Sequence, residues 1–155
     1  MRINVDNFLF SQYNMNMKIS SKGRYAVRLV VDIAKQGNGN FVALKDVATR
    51  QDISLKFLEQ ISSMLVKNEI LVSGRGASGG YKLAKPTNKI TVGQILTVTK
   101  DLGECKCMSQ DGTPCPKCNG CETGDVYEKL NLLISSYLNS VTVEKLLKEW
   151  FLYFD

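Results

Sequence analysis

Apolar positions recur every three or four residues through most of the chain, and the interruptions of that rhythm mark its elements. Ser20 or Ser21 caps a first helical stretch in which Tyr25, Leu29 and Ile33 recur at four-residue spacing, until Gly37, Asn38 and Gly39 stop it. The stretch "ALKDVATRQDI" predicts a short second helix with Leu44, Val47 and Ala48 on one face. Ser54 then caps "LKFLEQISSMLVKNE", where Leu58, Ile61 and Leu65 form the inward stripe and Lys56, Glu59, Gln60, Ser63 and Lys67 point outward. Two short helices joined by a brief connection predict a helix-turn-helix.

The period changes after the third helix. "ILVSGRGASGGYKLAKP" holds a β-prone run, a glycine-rich turn and a second short run ending before Pro86, which predicts a β-hairpin. Gly74, Gly76 and Gly79 fit the G-x-G-x-x-G pattern of dinucleotide-binding folds, but that pattern carries meaning only where the glycines open a helix. Here they lead into the strand-like "YKLA". Three helices followed by a hairpin bearing Arg75 and Lys82 predict a winged helix, whose third helix enters the major groove while the wing reaches phosphate or minor groove.

"TVGQILTVTKDL" predicts a fourth helix capped by Thr91. Beyond it lies a cysteine-rich segment, then "GDVYEKLNLLISSYLNS", whose Val126, Leu130, Leu133, Ile134, Tyr137 and Leu138 form one broad apolar stripe. So long a stripe beside a small domain calls for a partner, and a two-fold dimer suits a helix-turn-helix protein on a palindromic site. A last helix, "TVEKLLKEWFLYF", starts at Thr142 and offers Leu146, Leu147 and Trp150 for packing. The expected fold is mainly α with a small β-hairpin wing: a tail at 1–16, a winged helix-turn-helix domain at 17–100, a cysteine-rich loop at 101–123, and a long dimerisation helix with a C-terminal helix at 124–155.

Charge sharpens this division. Net charge is +5 overall, yet residues 17–100 carry +9, residues 101–155 carry −4 and residues 1–16 balance at zero. A basic winged helix points to double-stranded DNA. No run approaches the ~18 to 20 apolar residues of a membrane span, and no signal-peptide pattern opens the chain, so a cytoplasmic location without a membrane partner is expected. With no histidine, no serine beside a plausible base and no phosphate loop, neither catalysis nor a small-molecule substrate is expected.

All five cysteines, Cys105, Cys107, Cys115, Cys118 and Cys121, fall within 17 residues. An odd count in so short a segment, in a compartment that keeps thiols reduced, argues against disulfides. Cys105-x-Cys107 with Cys115-x-x-Cys118 could supply a four-cysteine zinc site. Cys115-x-x-Cys118-x-x-Cys121 also looks like the first three ligands of a ferredoxin run, with Asp125 where the fourth cysteine would stand. Spacing alone leaves zinc and an iron-sulfur cluster open.

From Met17 onward the chain resembles the IscR/NsrR/CymR-type family of bacterial winged-helix transcription regulators. The likeness rests on "MKISSKGRYAVRLVVDIA", on "ISLKFLEQISSMLVKNEILVSGRGASGGYKLAKP" and on "ITVGQIL". The resemblance implies a homodimer built on the long helix, and it places Lys56, Phe57, Glu59 and Gln60 at the start of the recognition helix and Arg75 at the wing tip. Side-chain chemistry agrees: Gln pairs with adenine, Glu accepts from the cytosine amino group, Lys reaches guanine or phosphate, and Arg suits a narrow minor groove. In some members the carboxylate at the position of Glu59 is implicated in a cluster-dependent change of sequence preference.

The resemblance also favours an iron-sulfur cluster, [2Fe-2S] over [4Fe-4S], with zinc as the alternative. Cluster-binding members carry three cysteines with a second gap of five residues and an aromatic six positions after the last. Cys115, Cys121 and Tyr127 meet that pattern, and Cys107 is then the first ligand, with Cys105 and Cys118 as additional candidates. Where subgroups offer a histidine or an aspartate as fourth ligand, this chain has Gly124 and Arg24, so that ligand is unassigned among Cys118, Cys105, Glu122 and Asp125. The expected function is a DNA-binding regulator, a repressor, that senses iron-sulfur status, redox or nitric oxide. The alternative is a zinc-stabilised or cluster-free regulator of the same fold, controlled by a protein partner or thiol redox state.

Overall fold

The computed structural model describes residues 19–76, 79–102 and 124–150. The tail at 1–16, all five cysteines and the end of the last expected helix lie outside the described residues. Helix α1 spans Ser21–Gly37; the Ser20 hydroxyl caps it by accepting from the Gly23 amide, and Asn38 ends it in the left-handed conformation at φ 44°. Helix α2 spans Leu44–Gln51 and α3 spans Leu55–Lys67, the latter capped by the Ser54 hydroxyl accepting from the Phe57 amide. Strands β1, Leu71–Gly74, and β2, Gly80–Leu83, pair antiparallel with Leu71 opposite Leu83 and Gly74 opposite Gly80. Helices α4, Val92–Val98, α5, Gly124–Ser140, and α6, Val143–Trp150, complete the described chain.

The core lies where α1, α2 and α3 meet the base of the hairpin. Leu29, Val47, Leu58, Ile61, Leu65 and Leu71 are buried there, together with Ile90, Ile95 and Val143 from the later elements. Burying one such side chain contributes about 1.5 to 3 kcal/mol, so the stripe of Leu58, Ile61 and Leu65 fixes which face α3 leaves to solvent. A second cluster joins Val92, Leu96 and Val141, with Ile19, Val27, Leu102, Leu138 and Leu146 packed against it. It ties the start of α1 to α4, α5 and α6.

Two short backbone pairings complete the frame. Val42 and Tyr81 exchange main-chain hydrogen bonds of 2.9 Å in each direction, which attaches the turn between α1 and α2 to the hairpin. Gly80, at φ 145°, makes this approach possible, because a Cβ there would meet the Val42 carbonyl oxygen at 2.2 Å. The Val92 amide donates to the Val141 carbonyl and the Val143 amide to the Ile90 carbonyl, which pins the start of α4 to the α5–α6 junction.

Three helices are shorter than their apolar rhythm predicts. The second ends at Gln51 because Asp52 turns left-handed at φ 52°, and the third ends at Lys67, with Glu69 at φ 55°. The fourth ends at Val98 rather than near Leu102, since Lys100 adopts φ 62° and the Asp101 amide returns to the Leu96 carbonyl. Gly74, Gly76 and Gly79 lie at and beyond the end of β1 and open no helix, so the dinucleotide pattern is a hairpin turn.

Candidate nucleic-acid interface

Helix α3 presents Lys56, Glu59, Gln60 and Ser63 on its exposed face, opposite the buried stripe. The Ser62 and Ser63 hydroxyls both donate back to the Glu59 carbonyl, so neither occupies the Glu59 carboxylate or the Gln60 amide. Donors and acceptors of the kinds that read base edges therefore stand on one side of one helix.

Phe57 differs from its neighbours. Its ring is half-buried and meets Tyr25 of α1 edge to face, with centroids 5.8 Å apart and planes at 87°. The guanidinium of Arg28 lies over the other ring of this pair, 5.5 Å from the Tyr25 centroid. Phe57 thus seats the start of α3 against α1, a positioning contact at the very residue expected to reach DNA.

Arg75 is exposed just past the end of β1, where the hairpin turns. Lys82 faces Val72 across the hairpin, and its ammonium lies 4.8 Å from the centre of the Phe41 ring. That cation–π contact holds the charge at the base of the wing, away from the tip that Arg75 occupies. The two wing cations therefore mark different levels of the hairpin.

Behind the recognition surface lies a polar network that apolar periodicity did not reveal. Asp32 is only 5% exposed. It accepts from Arg50 Nη2 at 2.6 Å, from Arg50 Nε at 3.2 Å and from Gln51 Nε2 at 2.9 Å. The hydrogen bond to Asp32 outweighs burial and keeps the Arg50 guanidinium pKa above its ordinary value. Arg28 in turn donates to the Gln51 side chain at 2.9 Å and to its carbonyl at 2.8 Å. Helices α1 and α2 are clamped by a buried charge, and the only sequence signal was an aspartate inside the apolar run "LVVDIA".

At the edge of the cysteine segment, Asp101 accepts from the Ser20 amide at 2.6 Å, from the Ser20 hydroxyl at 3.0 Å and from the Thr99 hydroxyl. Burial opposes its charge, but the hydrogen bonds from Thr99 and Ser20 and the nearby Lys22 hold the Asp101 carboxyl below the usual carboxylate range. The candidate metal ligands lie outside the described residues, and among the described residues no group of three or more His, Cys, Asp or Glu could hold a metal ion. On α5, Val126, Leu133 and Tyr137 are 64%, 69% and 66% exposed, the large apolar surface anticipated from the stripe. Among the described residues no helix is long and apolar enough to cross a membrane.

Residues 19–149 match the Rrf2 family, described as an iron-dependent transcriptional regulator. The HTH-type transcriptional regulator IscR of Yersinia pseudotuberculosis is 40% identical over 131 residues, which cover 84% of this chain and 79% of that protein. Among solved structures, T. potens IscR superposes with a TM-score of 0.69 at 34% identity, covering 85% of this chain and 87% of that one. CymR, the global cysteine regulator of B. subtilis, superposes with a TM-score of 0.68 at 30% identity, covering 83% of this chain and 95% of that one. These relatives are transcriptional regulators, not enzymes. A basic winged-helix domain, in a chain matched over nearly its whole described length, makes this protein a DNA-binding transcriptional regulator of the Rrf2 family.

Proposed function

We propose that the chain acts in the cytoplasm as a homodimeric repressor whose operator affinity is set by an iron-sulfur cluster. The observation that carries the reading is the position of five thiols in the sequence between Leu102, packed against the second core cluster, and the start of α5 at Gly124. Thiolates are the donors that iron-sulfur clusters and zinc both prefer, so the donor set fits. Cys107, Cys115 and Cys121 are the proposed ligands, with Cys105 and Cys118 as additional candidates and [2Fe-2S] favoured over [4Fe-4S]. The bound cluster would supply a redox- and nitric-oxide-sensitive centre.

The protein's own residues do the rest. Lys56, Glu59 and Gln60 read base edges from α3, Phe57 seats that helix, and Arg75 enters the minor groove or meets phosphate. Lys82 contributes charge at the base of the wing. The exposed apolar face of α5 meets its copy in the partner, which gives two recognition helices related by a two-fold axis, as a pseudo-palindromic operator requires.

Anaerobically purified protein should absorb near ~400 nm and carry stoichiometric iron and sulfide. Colourless protein with one tightly bound zinc per chain would instead establish the alternative, which the pairs Cys105-x-Cys107 and Cys115-x-x-Cys118 favour.

A further inference from the structure

We infer that Asp101 is a latch that transmits the state of the cysteine segment to the recognition helix through the first turn of α1. For its regulatory consequence the inference rests on the cluster reading given above; its structural half stands on contacts between described residues.

Asp101 stands four positions before Cys105. Its carboxylate holds both the amide and the hydroxyl of Ser20, the residue that caps α1. The same Ser20 hydroxyl accepts from the Gly23 amide at 3.1 Å. Gly23 leaves room for the carboxylate, because a Cβ there would stand 2.3 Å from Asp101 Oδ2. Thr99, buried behind the latch, has its single hydroxyl proton within reach of both the Leu96 carbonyl and the Asp101 carboxylate, so the carboxylate is held from the α4 side.

Two residues beyond Gly23, Tyr25 meets Phe57 edge to face at the start of α3. A continuous route therefore runs by hydrogen bonds from Asp101 to Ser20 and Gly23, along about half a turn of α1 backbone to Tyr25, and across to Phe57. Leu102, Ile19, Val27 and Leu138 all pack against the cluster of Val92, Leu96 and Val141, so a pull on Leu102 bears on a core shared by α1 and α5. A change at the cluster that displaces Asp101 would uncap α1 and shift the seat of the recognition helix without altering any DNA-contacting side chain. Coupling between two sites by such a route is real only if its two ends prove energetically linked.

The test has two arms. In cluster-free full-length protein, Asp101→Asn should speed amide exchange in residues 19–25 and also in residues 54–60 of α3; acceleration confined to residues 19–25 would overturn the latch. In anaerobic protein loaded with cluster, the ratio of operator affinities with and without cluster, typically about 5- to 150-fold in allosteric systems, should contract toward one in Asp101→Asn at unchanged iron and sulfide content. Asp101→Glu should restore part of it, and Tyr25→Leu should contract it without adding to the effect of Asp101→Asn. A full wild-type ratio in Asp101→Asn refutes the latch, whereas wild-type protein that takes up no iron and sulfide refutes the cluster reading and leaves the exchange arm to decide. Should Asp101→Asn fail to fold, Ser20→Gly removes the hydroxyl contact while retaining an acceptable cap, and the same two readouts apply.

Discussion

The Tyr25 ring on α1 meets the Phe57 ring on α3 edge to face, with centroids 5.8 Å apart. The first turn of α3 is therefore held by an aromatic pair and not by the leucine stripe alone. Such pairs contribute about 0.5 to 1.5 kcal/mol beyond the area they bury. A double-mutant cycle of Tyr25→Leu and Phe57→Leu followed by urea unfolding should return a coupling energy in that range. Phe57→Leu should also weaken operator binding, because Lys56, Glu59 and Gln60 ride on the turn it seats.

Arg75→Ala should lower affinity about equally for specific and unrelated DNA and reduce the slope of log K against log salt by roughly one. Gln60→Ala should instead cost about 1 to 3 kcal/mol on the specific operator only. Titrations at several salt concentrations separate the two; identical behaviour of both variants would contradict the division between wing and helix.

Replacing Asp32 by Ala leaves Arg50 and Gln51 without their shared acceptor. The guanidinium side chain is 35% exposed and regains some water, so a loss of about 2 to 3 kcal/mol is expected, short of the 3 to 5 typical of a wholly buried pair. Chemical denaturation measures this directly, and Asp32→Asn should lose less because it can still accept one hydrogen bond.

Acid should loosen the Asp101 latch. Its folded-state pKa lies below the ordinary carboxylate value, so the stabilisation it provides is complete above that value, about 4 in an unfolded chain, and disappears as pH falls through the lower, folded-state pKa. Thermal midpoints of the wild type and Asp101→Asn should therefore differ at neutral pH and converge in that acid window. A gap that persists below the window would mean that the carboxylate's charge is not what matters.

Single Cys→Ser replacements sort the thiols. Loss of Cys107, Cys115 or Cys121 should abolish the visible spectrum of anaerobic protein, whereas Cys118→Ser should leave it unchanged if Cys118 is a spare thiol. A spectrum that disappears with Cys118 as well would make it the fourth ligand.

Periodicity made the helices and the exposed side of α3 legible, because a three- or four-residue repeat of Leu and Ile states which face is buried whatever the partner. The hairpin was legible from its glycines and β-prone runs. Helix ends were overestimated at Asp52, Glu69 and Lys100, where a left-handed residue stops the chain although the apolar rhythm continues. Asp32 could not be assigned a partner from sequence, since Arg50 and Gln51 meet it only after α1 and α2 are docked. Lys82 read as a wing cation for DNA, and only the fold reveals Phe41 beneath it. Spacing could single out the cysteines as candidate ligands, which lie outside the described residues, but the tie between Asp101 and Ser20, residues 81 positions apart, has no local signature at all.

The bridge between Val42 and Tyr81 is made of main-chain atoms, and Gly80 is the residue that admits it. On the proposed reading, exchanging side chains on α3 would change the letters this protein reads. The main-chain bridge ties the wing to the α1–α2 turn whatever those side chains are, so the wing's mark would keep its place while the spelling beside it changes.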